Sequence, residues 1–262
     1  MSNIQKMLIL GTISLLASAS CTESENDGAG PAEPAEAPLA SASEIQIERL
    51  YAAALGQDAD AAYFIAMVFS DGGQEGCPKL TQSGAQRIIE GGCTANDTTV
   101  TGKMILTNLI RTDPGYDKSK PAILEYQKFS ISNPTDGMLF ELDGSLTLQS
   151  SETELSISAE LSISAQGLTS RTLRKSKCIG ESCNDSLFQV SFDGFGTANV
   201  TGSFEASDVP ELSKGSLVLA GTGEISFDLD NDVAVDNKIC TDYTGVKSGK
   251  ACVSDGTFQI SF

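Results

Sequence analysis

Three stretches of this chain alternate apolar and polar residues with a period of two. Over 140–148 the even positions carry Phe140, Leu142, Gly144, Leu146 and Leu148, with Glu141, Asp143, Ser145 and Thr147 between them. Over 155–165 the odd positions carry Leu155, Ile157, Ala159, Leu161, Ile163 and Ala165, separated by serines and Glu160. Over 217–229 the odd positions are again apolar or Gly, from Leu217 to Leu229. Successive side chains of a strand point to opposite faces, so each stretch predicts a strand with one buried face and one wet face.

Parity also predicts a pairing. Asp143-Gly144 has the form of a hairpin turn, but folding there would set Leu142 against Ser145 and mix the faces. The strand therefore runs through Gly144. A turn at Ser151-Glu152 instead sets Leu148 on Leu155, Leu146 on Ile157, Gly144 on Ala159, Leu142 on Leu161 and Phe140 on Ile163. Further strands are expected over 100–110, over 123–131 and over 188–204, with a last one at 258–262. The second shifts phase between Tyr126 and Phe129, as a bulge would. The third bends near Phe195, which is out of phase.

Helical periodicity is confined to the region before residue 73. Ser43-Glu44-Ile45-Gln46 has the form of a capping box. Ile47, Leu50, Tyr51, Ala54 and Leu55 then recur at helical spacing, and Gly56 ends the run. A second helix is expected from Asp58, as its cap, through Val68 to Gly72-Gly73. Such stripes predict helices that pack on the sheet. The expected fold is mainly β, a large curved or partly closed antiparallel β-meander with a short N-terminal helical segment over 43–72. Residues 43–262 are expected to form a single domain.

The first 42 residues follow a different grammar. Lys6 precedes an apolar run from Met7 to Ala17, which is too short to span a bilayer and has the form of a secretory signal over 1–20. The small residues that follow end in Ser18-Ala19-Ser20-Cys21, and this leader resembles those of bacterial lipoproteins. The resemblance covers only these residues and rests on Ala19, Ser20 and Cys21; Ser18 stands where that class usually has Leu. It implies cleavage before Cys21, a lipid on its sulfur, and anchoring in the cell envelope, with Thr22 pointing to the outer membrane. Ala17-Ser18-Ala19 offers a competing site for the ordinary signal peptidase. Residues 21–42, rich in Ala, Pro, Glu and Ser without periodicity, are expected to form a disordered tether.

Composition narrows the chemistry. The net charge is −18, which repels phosphate backbones and makes nucleic acid an unsuitable partner. The chain has no His, which removes Ser-His-Asp and Cys-His nucleophile pairs and His-ligated zinc. It has no Trp and only 6% aromatic residues, a poor supply for a groove that stacks sugars. Enzymes built on Ser-Lys or paired carboxylates survive this test, but no motif nominates one, and no cofactor is expected.

The cysteines are seven. With Cys21 lipidated, Cys77, Cys93, Cys178, Cys183, Cys240 and Cys252 remain, an even set suited to an oxidising compartment. Of the fifteen connectivities open to six cysteines, the local one is expected, Cys77–Cys93, Cys178–Cys183 and Cys240–Cys252. Asp228, Asp230 and Asp232 form a weak calcium candidate, better read as a solvated acidic turn. An EF-hand would need Gly and Glu where Val233 and Ile239 stand. Arg171, Arg174, Lys175 and Lys177 make the one basic cluster, either a charged strand end or a contact for an anionic headgroup or glycan.

The ending Phe258-Gln-Ile-Ser-Phe262 resembles the last strand of outer-membrane β-barrels. The lack of Trp, the helices and the expected disulfides favour a soluble sheet. The expected function is a non-catalytic, lipid-anchored envelope lipoprotein that binds or scaffolds. It would meet the membrane through its N-terminal lipid and an envelope ligand or protein through its domain. The alternatives are a carrier of lipid or acylated ligand in a half-barrel cavity, a membrane barrel, and a carboxylate-based enzyme.

Overall fold

A computed structural model describes residues 35–71, 76–109, 120–134, 138–151, 153–165, 167–179, 182–205, 214–231, 233–235 and 238–254. Two helices, α1 (Glu44–Ala54) and α2 (Gln57–Phe69), precede a sheet of fifteen strands. The first five are β1 (Lys79–Ser83), β2 (Gln86–Glu90), β3 (Cys93–Ala95), β4 (Thr98–Thr107) and β5 (Ala122–Asn133). The long central ones are β6 (Met138–Ser150), β7 (Glu154–Ala165), β8 (Leu168–Ile179), β9 (Ser182–Phe192) and β10 (Gly196–Glu205). The last are β11 (Lys214–Gly221), β12 (Gly223–Asp228), β13 (Val233–Val235), β14 (Lys238–Gly245) and β15 (Gly249–Ser254). All the strand pairs are antiparallel, and from β4 to β12 each strand lies beside the next in sequence, the expected meander. Among the described residues the sheet does not close, because β1 and β2 at one end pair with nothing at the other.

The β6–β7 hairpin forms, but two residues away from the predicted register. Leu148 pairs with Ile157, Leu146 with Ala159, Gly144 with Leu161, Leu142 with Ile163 and Phe140 with Ala165. Ser151 sets this register. Its N–H donates to the Glu154 carbonyl at 2.7 Å, and its Oγ accepts from the Glu154 N–H at 3.0 Å, so the chain turns one residue later than expected. A two-residue slip keeps every side chain on its face, so parity was blind to it. Gly144 does run straight through the strand. A Cβ there would lie 2.0 Å from the Glu160 carbonyl oxygen.

Two expected single strands are hairpins. Residues 217–229 fold back at Thr222, setting Leu219 on Ile225 and Leu217 on Phe227. A fold about one residue places positions of equal parity opposite each other, so the pattern is the same as for one straight strand. Residues 188–204 turn at Asp193–Phe195, a full reversal rather than a bend. The bulge in β5 falls where the phase shift placed it, between Tyr126 and Phe129.

The helices cover the apolar face. The capping box of α1 is formed, with Ser43 N–H donating to Gln46 Oε1 and Gln46 N–H to Ser43 Oγ. Ile47, Leu50, Tyr51 and Ala54 are buried against β9 to β15. Tyr51 stacks on Phe227 with ring centroids 4.4 Å apart and shares a 2.7 Å hydrogen bond with Thr241. Gly56, at φ +88°, ends this segment and caps α2; Asp58 is not the cap. Helix α2 buries small residues, Ala59, Ala62 and Ala66, and Tyr63, against a second core of β1 to β7. Small side chains let the sheet approach closely, and Tyr126 on β5 donates to the Ala62 carbonyl.

The sheet must curl around α1. That helix touches β8 and β9 and also β15, five steps along the ladder from β9. Five steps of a flat sheet span about 24 Å, whereas a helix with its side chains is about 10–12 Å across. The Cys252 N–H of β15 donates to Glu48 of α1 at 3.0 Å, fixing the curled end. Apolar positions thus point in at helices and polar positions out, the reverse of a membrane barrel. No helix among the described residues is long and apolar enough to cross a membrane.

Residues 35–42, placed in a tether by their composition, belong to the fold. Ala37, Leu39 and Ala42 are buried in the α1 core, and Ala37 N–H donates to Thr197 O at 2.9 Å. Three small or apolar residues among prolines sufficed to bury a segment without periodicity. Disulfides join Cys77 to Cys93 and Cys240 to Cys252, as expected from local pairing. Cys178 is disulfide-bonded and faces Cys183 across the ladder; the side chain of Cys183 lies outside the described residues. Cys21, the leader, residues 21–34 and the terminal strand at 258–262 also lie outside them.

Candidate functional site

Strand β8 is where the two cores part. Its neighbour β7 points Ala159, Leu161 and Ile163 inward, whereas β8 points Thr172, Arg174, Ser176 and Cys178 inward, all buried. Burying a guanidinium is expensive unless it is paired and hydrogen-bonded. Arg174 meets that requirement. Its Nε donates to Asp185 Oδ1 at 2.9 Å and to Ser176 Oγ at 2.6 Å, and its guanidinium lies 4.5 Å from the Phe188 ring centroid. Ser176 Oγ–H in turn donates to Asp185.

A bulge places Asp185 there. Phe188, Val190 and Phe192 are the buried set of β9, and uninterrupted alternation would turn Asp185 outward. Lys175 pairs with Leu187 and Ser176 with Asp185, so Ser186 is an extra residue that switches the face. Opposite, the first turn of α2 contributes Asp58. Its carboxylate is enclosed although the residue keeps some exposure, and it accepts from Thr172 Oγ1 at 2.7 Å and Ser170 Oγ at 3.1 Å. Burial pushes the Asp58 pKa up, against the two hydroxyls and Arg49. Burial likewise lowers that of Arg49, which faces Asp58 and Glu48.

Asp60 completes the seam. Burial raises its pKa to about 7, with Arg174 opposing and Asp58 reinforcing the shift. Three carboxyls, Asp58, Asp60 and Asp185, thus share this polar seam with two guanidiniums, those of Arg49 and Arg174.

The other basic residues of the cluster face away. Arg171, Lys175 and Lys177 are exposed on the outer side of the same strand. Lys177 pairs with Glu154 at 3.1 Å. Across the ladders, Arg171 is flanked by Ser162 and Ser191, and Lys175 by Ser158 and Leu187. Two depressions lie along β8 to β10. One of about 190 Å³ is lined by Arg171, Thr169, Ser191, Asp193 and Thr197, among others. The other, about 320 Å³, is lined by Asn184, Asp185, Val200, Thr201 and Gly202. It opens where β9 and β10 have no ladder pairs, between Val190↔Ala198 and Ser182↔Glu205. Gln189 donates to Asn199 at 2.9 Å on that stretch.

The calcium candidate has other duties. Asp228 accepts from the Asp230 N–H at 3.2 Å, and Asp230 from the Gly215 N–H at 3.0 Å, so both carboxylates hold backbone turns. Asp232 lies outside the described residues, and among those described no three His, Cys, Asp or Glu residues gather as metal ligands. The seam of Asp58, Asp60, Arg174 and Asp185 was missed by sequence reasoning. Its one signal is that β8 has no apolar parity at all.

The fold and site define a disulfide-stapled, open antiparallel sheet curled around a helical hairpin. No protein family, curated protein or solved structure matches the chain.

Proposed function

We propose that the chain is a non-catalytic, lipid-anchored protein of the cell envelope that presents its outer sheet face as a binding or scaffolding surface. The observation that carries this reading is the division of the sheet's two faces. The inner apolar positions are filled by α1 and α2, with Leu142, Leu146, Leu217 and Leu219 fully buried. The outer face is richer in polar residues, although Ile105, Leu173 and Leu187 also lie on it, and among the described residues no helix covers it. A carrier of lipid in a hollow would need the space that these helices occupy.

Two disulfides imply a non-reducing environment, which agrees with export. The anchor itself rests on the leader and on Cys21 as the cysteine outside the three local pairs expected of the other six, two of which are formed. Growth with an alkyne fatty acid tests it. The wild-type chain is expected to take up the label and fractionate with membranes, and Cys21→Ser to lose both. An unlabelled wild type that begins at Ser20 would contradict the anchor.

A further inference from the structure

We propose that the free edge of β15, with the flank of α1 beside it, is a strand-receiving groove, and that residues 258–262 of this chain occupy it. Among the described residues β15 pairs with β14 alone, so one of its edges is open. The N–H groups along an antiparallel strand point alternately to its two edges. The Cys252 N–H donates to Glu48 Oε1 at 3.0 Å, so Cys252 faces the open edge, and by alternation Lys250 and Ser254 face it too. A carboxylate of α1 thus holds a donor that a neighbouring strand would otherwise take.

The flank of α1 beyond that edge is apolar and partly uncovered. Tyr51 meets β12 and β14, through Phe227 and Thr241, and Glu48 meets β15. Residues of a helix are set about 100° apart, so Glu48 lies about 60° around α1 from Tyr51. Ala52 and Ile45 follow in the same sense, about 40° and 60° past Glu48. The sheet curls around α1 in this direction, so one more strand beyond β15 would lie against them. Ile45 is 39% exposed and Ala52 half-buried, while Ala251 and Val253 on β15 are buried.

The sequence after β15 supplies such a strand. Asp255-Gly256 has the form of a two-residue hairpin turn, and Phe258, Ile260 and Phe262 alternate with Gln259 and Ser261. Folding at Asp255-Gly256 sets Phe258 on Val253, Ile260 on Ala251 and Phe262 on Gly249, which continues the buried row. A three-residue turn would set Val253 against Gln259 instead. The two-residue turn also makes Ser254 and Thr257 the first hydrogen-bonded pair and Cys252 and Gln259 the next. Those are the β15 residues whose N–H groups face the open edge. Side-chain parity and N–H direction are independent, and they select the same register. In it Glu48 yields the Cys252 N–H to the Gln259 carbonyl. An open edge beside an apolar flank accepts any strand of this pattern, and the chain's own segment keeps foreign strands from it.

Amide exchange of the purified full chain in mild detergent, read residue by residue, tests this. Residues 258–262 and Lys250 are expected to exchange at least about a hundredfold more slowly than an unstructured chain. Ile260→Asp, on the buried row, should remove that protection, and Gln259→Asp, on the wet row, should keep it within about twofold. Native mass spectrometry should find one chain per particle. The proposal is overturned by exchange of 258–262 at the unstructured rate in the wild type, or by protection there beside an unprotected Lys250, which would put the segment on another edge. Equal losses in the two variants overturn it as well. So does protection confined to dimers, which would make a second copy the source of the strand. The wild-type measurement needs no substitution, so it decides even if Ile260→Asp disturbs the rest of the fold.

Discussion

Strands β7 and β8 lie side by side, each twelve residues long, and they solve opposite problems. The inward row of β7 is Ala159, Leu161 and Ile163, and its outward row is serines and Glu160. Hydropathy alone decides which face is which. Both rows of β8 are mostly polar, with Leu168 in the inner one and Leu173 and Ile179 in the outer, so hydropathy cannot decide, and the choice falls to partners. Arg174 is inside because Asp185, Ser176 and the Phe188 ring wait there. Arg171 is outside because Ser162 and Ser191 flank it on a wet face. The same residue type, three positions apart, is a strut in one place and a free cation in the other.

The comparison breaks most sharply at Leu161. Leu161→Asp buries a carboxylate with no partner and is expected to cost on the order of 4 kcal/mol in urea unfolding. Next comes Arg174→Gln. It strands Asp185 beneath the helices, and removing one member of such a buried pair costs about 3 kcal/mol. Leucine-like cost at an arginine would show that the β8 seam holds the fold as the β7 core does.

The folded-state pKa of Asp60, about 7, lies above its ordinary 3.8. The folded chain therefore holds a proton that the unfolded chain has released, and stability falls as pH rises from about 4 to 7, then levels off. Asp58 shifts in the same direction. Asp60→Asn is expected to flatten this slope when unfolding is measured at a series of pH values; an unchanged slope would place Asp60 in solvent. The smallest effect belongs to Ser162→Asp on the wet side of β7, under about 0.5 kcal/mol.

What the sequence made legible follows from the same contrast. Alternation located β6, β7 and the inward sets of β11 and β12, because burial tracks hydropathy there. It could not see a slip of two residues in the β6–β7 pairing, nor a reversal about Thr222, because both preserve parity. Those were decided by Ser151 hydrogen bonds and by the Gly221-Thr222-Gly223 turn. The β5 bulge was legible because Phe129 breaks phase with an apolar residue. The β9 bulge was not, because Ser186 and Asp185 are both polar. Asp58 has the form of a helix cap, and only the approach of Thr172 and Ser170, more than a hundred residues away in sequence, makes it a buried acceptor.

The sheet has a filled inner face with a polar seam and an outer face that no helix covers among the described residues. Carbodiimide footprinting of the native chain, read by mass spectrometry, tests this without any substitution. Glu160 on the outer face is exposed, while the carboxyls of Asp58 and Asp60 are enclosed between α2 and β8. Glu160 is expected to be modified in the folded chain, and Asp58 and Asp60 to react only after urea unfolding. Modification of Asp58 and Asp60 at the rate of Glu160 in the folded chain would contradict it.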